Sequence, residues 1–189
     1  LMFFVNGSQT SAGGIRAKMF AERLPSEWEI RFNYRPTPKW KGILPFIQSA
    51  LSFQPDIIYV MDTAYTGVLA GFISKSLTGC KLITDTGDVA YELAKSSGTY
   101  SKQQLALINW IEQMAIKNSD CLIVRGSYHK TYLEKQGIEN VEFIPDGVDM
   151  SSAKPVAPTV VRTQLGLDNS LVVGMVGTMV WSERHQMCY

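Results

Sequence analysis

The chain has 189 residues, which is enough for one full domain and part of a second. Eighteen lysines and arginines stand against seventeen aspartates and glutamates, giving a formal net charge of +1. This balance argues against a dedicated nucleic-acid-binding protein, which usually carries a basic excess. The 46% of hydrophobic residues argues against a disordered or collagen-like chain.

The cysteines and the first residues indicate the cellular compartment. Cys80, Cys121 and Cys188 are far apart and form no CxxC pair, so we expect neither a disulfide framework nor a zinc ribbon, and a reducing, cytoplasmic compartment. No apolar run approaches the ~18 residues of a membrane span. The run Leu1–Val5 is too short for a signal-peptide core and is interpreted as a buried strand. Because the chain begins with Leu1 and not with Met, further residues are expected upstream.

Short apolar runs alternate with stretches of helical periodicity along the chain. The runs predict strands over Met2–Val5, Glu29–Asn33, Asp56–Met61, Lys81–Thr84, Cys121–Val124, Val141–Ile144 and Leu171–Val176. The periodic stretches predict helices over Gly14–Leu24, Lys41–Phe53, Ala64–Leu77, Ser101–Asn118, Ser127–Gln136 and Thr159–Leu165. Ile15 belongs to the apolar stripe of the first of these helices and Leu44 to that of the second, and Ser101 is a candidate N-cap. Strands that alternate with helices predict an α/β fold, with a parallel sheet covered by helices on both faces.

A change in composition divides the chain. The stretch Asp149–Pro158 is polar and contains two prolines, as linkers do. We therefore predict a first domain over residues 1–150. Residues 151–189 are then a linker and the first strand of a truncated second domain.

The first candidate site follows the first predicted strand, because ligands of open α/β sheets bind at the carboxyl ends of the strands. Gly13 and Gly14 close a loop rich in small and hydroxyl residues that leads into a helix. Glycines let the backbone approach a ligand, and a helix start favours an anion. The alternative is a flexible surface turn. The loop contains neither GxGxxG nor a Walker A motif.

Acidic residues follow two other strands. In Asp85-Thr86-Gly87-Asp88, the two carboxylates are suited to orient a sugar hydroxyl or to act as acid and base. The alternative is a turn in which Asp88 caps the segment that follows. Asp62 presents the same two alternatives after the third strand. His129 is expected to be solvated, and with two histidines and three dispersed cysteines no metal site is predicted.

Several fragments together resemble a known family. They are Gly13-Gly14, the stretch from Ser119 to Asp149 that ends in Ile-Pro-Asp-Gly-Val-Asp, and the run Val172–Gly177. In this order they resemble the retaining glycosyltransferases of family 4, which have the GT-B architecture of two Rossmann-like domains. The stretch from Ser119 to Asp149 is the most specific part. The resemblance spans the whole chain but only about half of such an enzyme.

The resemblance implies transfer of a sugar from a nucleotide-sugar donor to a glycan, lipid or small-molecule acceptor, with retention and without a metal or other cofactor. It is typical of cell-envelope or polysaccharide biosynthesis. The first domain would bind the acceptor, and Gly13 and Gly14 would reach toward the donor phosphates. In the second domain, Gly177 matches a family glycine, and Arg184 stands about where the family has a basic residue. The family's Glu-x7-Glu motif would lie beyond Tyr189, so residues 1–189 alone are expected to be inactive.

The chain also departs from the family. Thr178 replaces an arginine, and Asp62-Thr63 and Gly87-Asp88 stand where many members have histidines. Asp88 is therefore a catalytic candidate by position alone. The alternatives are a sugar-nucleotide epimerase of the same architecture and a non-catalytic binding protein or partner subunit. No nucleic acid is expected as a partner. Peripheral membrane contact is left open, because no strongly basic amphipathic helix requires it.

Overall fold

The structure is a computed structural model that describes residues 1–148, 157–167, 170–174, 181–182 and 187–188. The chain divides into two compact units, Leu1–Asp146 and Gly147–Tyr189. The prediction that they are a first domain and the start of a donor-binding domain stays a prediction.

The first unit is built on one parallel sheet of six strands in the order β2-β1-β3-β4-β5-β6. The strands are β1 (Met2–Val5), β2 (Arg31–Tyr34), β3 (Ile57–Met61), β4 (Lys81–Thr86), β5 (Cys121–Val124) and β6 (Val141–Phe143). The helices are α1 (Ala12–Ala21), α2 (Ile43–Phe53), α3 (Tyr65–Thr78), α4 (Ala90–Ser97), α5 (Lys102–Asn118) and α6 (Ser127–Glu134), and a 3-10 helix, Lys39–Gly42, leads into α2.

Helices cover both faces of the sheet, so successive side chains of the central strands are buried on opposite sides. On one face, Phe4 and Val60 pack with Phe46 of α2. On the other face, Phe3 and Tyr59 belong to the cluster that α1 completes. The predicted α/β fold with a Rossmann-like parallel sheet is confirmed.

The ends of the helices follow local signals where those are strong. Ser101 caps α5 in a reciprocal arrangement with Gln104: its hydroxyl accepts the Gln104 amide, and the Gln104 side chain accepts the Ser101 amide. Gly79 ends α3 at a φ of +74°, a conformation that favours glycine. The capping role predicted for Ser101 is confirmed.

Several details of the first unit differ from the sequence prediction, including the limits of β2, β4 and β6. Helix α4 was not predicted. On α1, the predicted apolar stripe included Ile15, which is exposed, whereas Arg16 and Ala17 are buried. On α2, Leu44 was assigned to the buried stripe but is 69% exposed. The reason is that α2 is apolar around most of its circumference, so periodicity does not select its buried face.

The second unit contains α7 (Pro158–Gln164) and an antiparallel pair of short strands, β7 (Trp181–Ser182) and β8 (Met187–Cys188). The strand predicted over Leu171–Val176 is wrong for residues 171–174, which form no strand, and residues 175–176 lie outside the described residues. Leu171 and Val173 are almost fully exposed. An apolar run becomes a strand only when another strand pairs with its backbone, and no described strand pairs with this one. Among the described residues, no helix is long and apolar enough to span a bilayer.

Candidate functional site

The chain reverses the direction in which it adds strands between β1 and β3, which are neighbours in the sheet. In open α/β sheets, such a switch point opens a crevice at the carboxyl ends of the strands. Asn6 bridges this crevice: its amide nitrogen donates to the carbonyls of Met61 and Asp62 at 2.9 and 2.8 Å, and its oxygen accepts the Gly67 amide at 2.9 Å. The residues that follow β1, β3, β4 and β5 are called the carboxyl edge below.

Gly13 and Gly14 lie in the first turn of α1, and both are buried. A Cβ on Gly14 would lie 2.3 Å from the carbonyl oxygen of Ser8, so the loop can fold back on the helix only because this residue is glycine. A Cβ on Gly13 would lie 3.2 Å from a carboxylate oxygen of Asp62. Ser11 caps α1 through the Gly14 amide at 3.2 Å. The loop is therefore packed, which disfavours the alternative of a flexible turn, and donor binding by the two glycines stays a prediction.

Asp85 is the centre of a cluster of buried charges at the carboxyl end of β4, and none of its surface is exposed. One carboxylate oxygen accepts hydrogen bonds from Arg16 Nε at 2.7 Å and from the Tyr59 hydroxyl at 2.9 Å. The other accepts from Arg125 Nε at 3.1 Å. Burial, and next the Asp85 carboxylate, raise the pKa of Tyr59, so its hydroxyl remains a donor. A buried carboxylate is stable only with such a complete set of partners.

Arg16 connects Asp85 to the segment where the chain leaves the first unit. Its terminal nitrogens donate to the carbonyls of Ile144 at 2.9 Å and Pro145 at 3.2 Å, and to the Asp146 carboxylate at 2.9 Å. Its guanidinium carbon lies 4.6 Å from the centre of the Phe20 ring. Arg16 therefore fixes α1 to the start of the Ile-Pro-Asp-Gly-Val-Asp motif.

Arg125 connects Asp85 to Asp62. Its Nη2 donates to Asp62 at 3.0 Å, and a Cβ on Gly87 would lie 2.9 Å from its Nη1. Burial raises the pKa of Asp62, and the Arg125 guanidinium opposes that rise. Burial alone would lower the pKa of Arg125, but the carboxylates of Asp85 and Asp62 outweigh it and raise the pKa.

Asp62 has an unusual backbone conformation, with a φ of +70°, and its side chain is 47% exposed. A non-glycine residue in the left-handed region is uncommon, and such residues concentrate at functional sites. The conformation turns the chain out of β3 beside Gly13. Asp62 is thus a partly accessible carboxylate at the switch point.

Asp88 is exposed, and its carbonyl accepts a hydrogen bond from the Thr86 hydroxyl at 2.7 Å. The alternative in which Asp88 caps the next segment is wrong. Glu112 of α5 caps α4 instead, accepting the amides of Ala90 at 2.5 Å and Tyr91 at 3.3 Å. The Asp88 carboxylate is therefore available at the carboxyl edge.

His129 is half-buried near Asp88 rather than fully solvated. Burial lowers its pKa, and the Asp88 carboxylate partly opposes this. Two other predicted site residues, Gly177 and Arg184, lie outside the described residues. Within the described residues, no three side chains that ligate metals are grouped. The expectation that no metal takes part stays a prediction.

Sequence reasoning missed Arg16 and Arg125. The signal for Arg125 was its place directly after the apolar strand Cys121–Val124. The signal for Arg16 was its helical spacing, three residues after Gly13 and four residues before Phe20. Asp85 was recognised as part of a candidate loop, but its pairing with both arginines depends on contacts over 40 and 69 residues of chain.

Comparisons with known proteins support the fold. No protein-family model and no curated protein matches the chain. The crystal structure of HepE from Anabaena in complex with UDP-glucose is similar over 97% of this chain and 55% of that chain, with 18% identity and a TM-score of 0.59. The crystal structure of HepE in complex with UDP and glucose is similar over the same 97% of this chain and 55% of that chain, with 16% identity and a TM-score of 0.57.

A further solved structure, UDP-GlcNAc 2-epimerase from Methanocaldococcus jannaschii, is similar over 76% of this chain and 45% of that chain, with 17% identity and a TM-score of 0.45. The chain spans about half the length of the HepE structures it matches. The likeness to HepE shows that this chain shares its α/β fold.

Proposed function

We propose that the protein is a glycosyltransferase that moves a sugar from a nucleotide-sugar donor to an acceptor hydroxyl, as part of a two-domain GT-B enzyme. The observation that carries the proposal is the arrangement at the switch point, where the glycine-lined start of α1 faces Asp62 and the Asp85 cluster. The likeness in fold to HepE, crystallised with UDP-glucose, supports a nucleotide sugar as ligand.

The start of α1 is suited to an anionic group of the donor. The first amides of a helix lack partners within the helix, and the helix dipole adds positive potential there. Gly13 and Gly14 add no side chain to this turn, and the Gly14 amide already donates to the Ser11 hydroxyl. A diphosphate placed there would be stabilised as leaving group by backbone amides. From the family resemblance, Gly177 and Arg184 are proposed as further donor-binding residues; both lie outside the described residues. Positioning and electrostatics would supply the rate without a metal.

The carboxylates of the carboxyl edge are suited to the acceptor. Asp88 is exposed and Asp62 is partly exposed, so both can accept a hydrogen bond from a sugar hydroxyl. Arg125 fixes one oxygen of Asp62 at 3.0 Å. We propose that Asp88, as the less constrained group, contacts the reacting hydroxyl and that Asp62 orients a neighbouring one. Retention and membership of family 4 rest on the resemblance of the stretch from Ser119 to Asp149.

The experiment measures donor binding and sugar transfer with the full-length protein. Calorimetry with UDP-glucose, GDP-mannose and ADP-glucose identifies the nucleotide. Release of nucleoside diphosphate in the presence of a panel of acceptors reports transfer. Asp88→Asn should lower the rate of transfer by about 100-fold or more, because general acid–base groups contribute about that much. Asp56→Asn is the matched control, since Asp56 is exposed before the opposite end of β3.

The outcomes separate the alternatives. Binding of a nucleotide sugar with no transfer to any acceptor would favour the non-catalytic protein. Conversion of UDP-GlcNAc to its C2 epimer would favour the epimerase. Transfer that is equally fast in Asp88→Asn and Asp56→Asn would reject the role proposed for Asp88.

A further inference from the structure

A basic and apolar surface follows the carboxyl end of β2. It is formed by Arg35, Lys39, Trp40, Lys41 and Leu44, and is called the 35–44 surface below. Trp40 is 63% exposed and Leu44 is 69% exposed. Large apolar side chains that are exposed together on one segment mark interaction surfaces more often than isolated ones do.

Helix α2 extends the apolar part of this surface. The helix carries no charged residue, and its buried side chains Phe46, Ile47 and Ala50 already pack on the sheet. On the outside, Leu51 lies seven residues after Leu44, two turns along the same face, and is 41% exposed. An outer helix face normally carries charged residues when only water covers it.

The charges around these side chains have one sign. Residues 30–55 contain Arg31, Arg35, Lys39 and Lys41 and no aspartate or glutamate, although the chain as a whole is nearly neutral. Among the described residues, Arg35, Lys39 and Lys41 form no ion pair with a carboxylate. The ammonium group of Lys41 lies 5.7 Å from the centre of the Trp40 ring, so a cation and an aromatic side chain lie next to each other on this surface.

Contacts with α3 hold the 35–44 surface in place. The Thr66 hydroxyl at the start of α3 donates to the Lys39 carbonyl at 2.9 Å. Gly42 is buried, and a Cβ there would lie 2.8 Å from the Thr66 methyl group. The turn that carries Trp40 is thereby fixed to α3, whose start lies only three residues after Asp62. The 35–44 surface and the candidate site are consequently at the same edge of the sheet.

We propose that the 35–44 surface binds the face of an anionic lipid bilayer. Tryptophan enters the interfacial layer, where its ring is apolar and its N–H meets water and headgroups. Leu44 and Leu51 would enter beside it, and Arg35, Lys39 and Lys41 would contact lipid phosphates. A nucleic acid fits less well, because it offers no partner for the leucines. The proposal goes beyond the proposed function and does not rest on it.

The test is co-sedimentation of the full-length protein with vesicles of phosphatidylcholine alone or with 30% phosphatidylglycerol. Binding should require the anionic lipid and should weaken when salt is raised from ~0.1 to ~0.5 M, because salt screens the attraction. Lys39→Gln/Lys41→Gln should lower the partition coefficient about 25-fold, since each lysine near such a surface contributes about a fivefold factor. Trp40→Ala/Leu44→Ser should abolish sedimentation, and Trp40→Phe should retain part of it.

The matched control is Leu107→Ser/Trp110→Ala on α5. Leu107 is 57% exposed and Trp110 is 52% exposed, but α5 has no basic residue between Lys102 and Lys117. This control should bind like the wild type. Brominated lipid should quench the tryptophan emission of the wild type, and the single substitution Trp40→Phe should be enough to remove this quenching. All the substituted side chains are exposed, and circular dichroism checks that each variant is folded.

Three results would overturn the proposal. The first is equal binding to neutral and anionic vesicles. The second is a loss of binding in the α5 control as large as in the Trp40 and Leu44 variant. The third is absence of binding to anionic vesicles. Self-association in sedimentation velocity that Trp40→Ala/Leu44→Ser abolishes would then show that a second copy of the chain covers the surface.

Discussion

Two aspartates at opposite ends of neighbouring strands each pair with two cations. Asp85, at the carboxyl end of β4, is fully buried and binds Arg16 and Arg125. Asp120, just before β5, has a side chain that is 26% exposed and binds Lys75 at 2.7 Å and Lys81 at 3.2 Å. Each aspartate has two cationic partners, but Asp85 is shielded from solvent and Asp120 is partly exposed to it.

The Asp85 cluster and the cluster of Asp120, Lys75 and Lys81, called the Asp120 cluster below, differ in the groups to which their cations extend. The arginines on Asp85 extend to other groups: Arg125 to Asp62, and Arg16 to the segment after β6. The lysines on Asp120 hold the start of β5 to its neighbours, and Asp120 also accepts the Leu82 amide at 2.8 Å. Because ligands bind at carboxyl ends in this fold class, the Asp85 cluster organises the candidate site and the Asp120 cluster stabilises the fold.

The largest effect should come from Asp85→Asn, which leaves two arginines largely buried without their carboxylate. Breaking a buried pair in this way costs about 3–5 kcal/mol. We expect the free energy of unfolding, measured by urea denaturation, to fall by this amount. A loss below about 1 kcal/mol would show that the Asp85 cluster is no more important for stability than an exposed pair.

Arg16→Lys should have the next largest effect. A lysine has one nitrogen and cannot reach Asp85 and the carbonyls of Ile144 and Pro145 together. Hydrogen bonds to charged groups are worth about 1.5–3 kcal/mol each, so we expect a loss of about 2–3 kcal/mol in the free energy of unfolding. Arg23→Lys is the control, since Arg23 is exposed and its side chain donates, among the described residues, only to the Met19 carbonyl. Equal stability of the two variants would contradict this prediction.

Asp120→Asn should cost about 1–2 kcal/mol at pH 7. Burial alone would raise the pKa of Asp120, but hydrogen bonds from Lys75, the Leu82 amide and Lys81 lower it from 3.8 to about 2. A lowered pKa gives stability that is present above pH 3.8 and is lost as the pH falls toward 2. The stability difference between wild type and Asp120→Asn should therefore shrink between pH 4 and pH 2. Urea denaturation at several pH values measures it, and a constant difference would reject the assignment.

The smallest effects should come from the lysines of the Asp120 cluster, and they should differ. Lys75 is partly buried and also donates to the Asn118 carbonyl at 2.8 Å, whereas the Lys81 side chain is 72% exposed. Lys75→Ala should cost about 1 kcal/mol and Lys81→Ala less than about 0.5 kcal/mol. Thermal denaturation at low and high salt compares them, and a larger loss for Lys81→Ala would reverse the interpretation.

The sheet was largely predictable because its strands are short apolar runs. The predicted limits of Met2–Val5 and Cys121–Val124 agree with the structure. Helix α4 was not predictable in the same way. It buries only Ala94, and its cap comes from Glu112, which is 22 residues away from Ala90. A helix fixed by a distant carboxylate leaves little local signal.

The candidate site was predictable only in part. The strand ends identified Asp62, Asp85 and Asp88, because polar residues after apolar runs are visible in a sequence. Which of them is buried depends on the partners that the fold brings together. Periodicity assigned Leu44 to the wrong face of the largely apolar helix α2, so the exposure of Leu44 and the 35–44 surface became evident only from the packing.

The contacts of Arg16 with residues 144–146 determine where this unit can be joined to a foreign protein. In a hybrid whose junction lies after Asp146, all the described partners of Arg16 are kept, so the transplanted segment should remain stable. In a hybrid joined before Ile144, the guanidinium would have to find new acceptors in an unrelated sequence. Recombination, natural or engineered, should therefore tolerate the later junction much better than the earlier one.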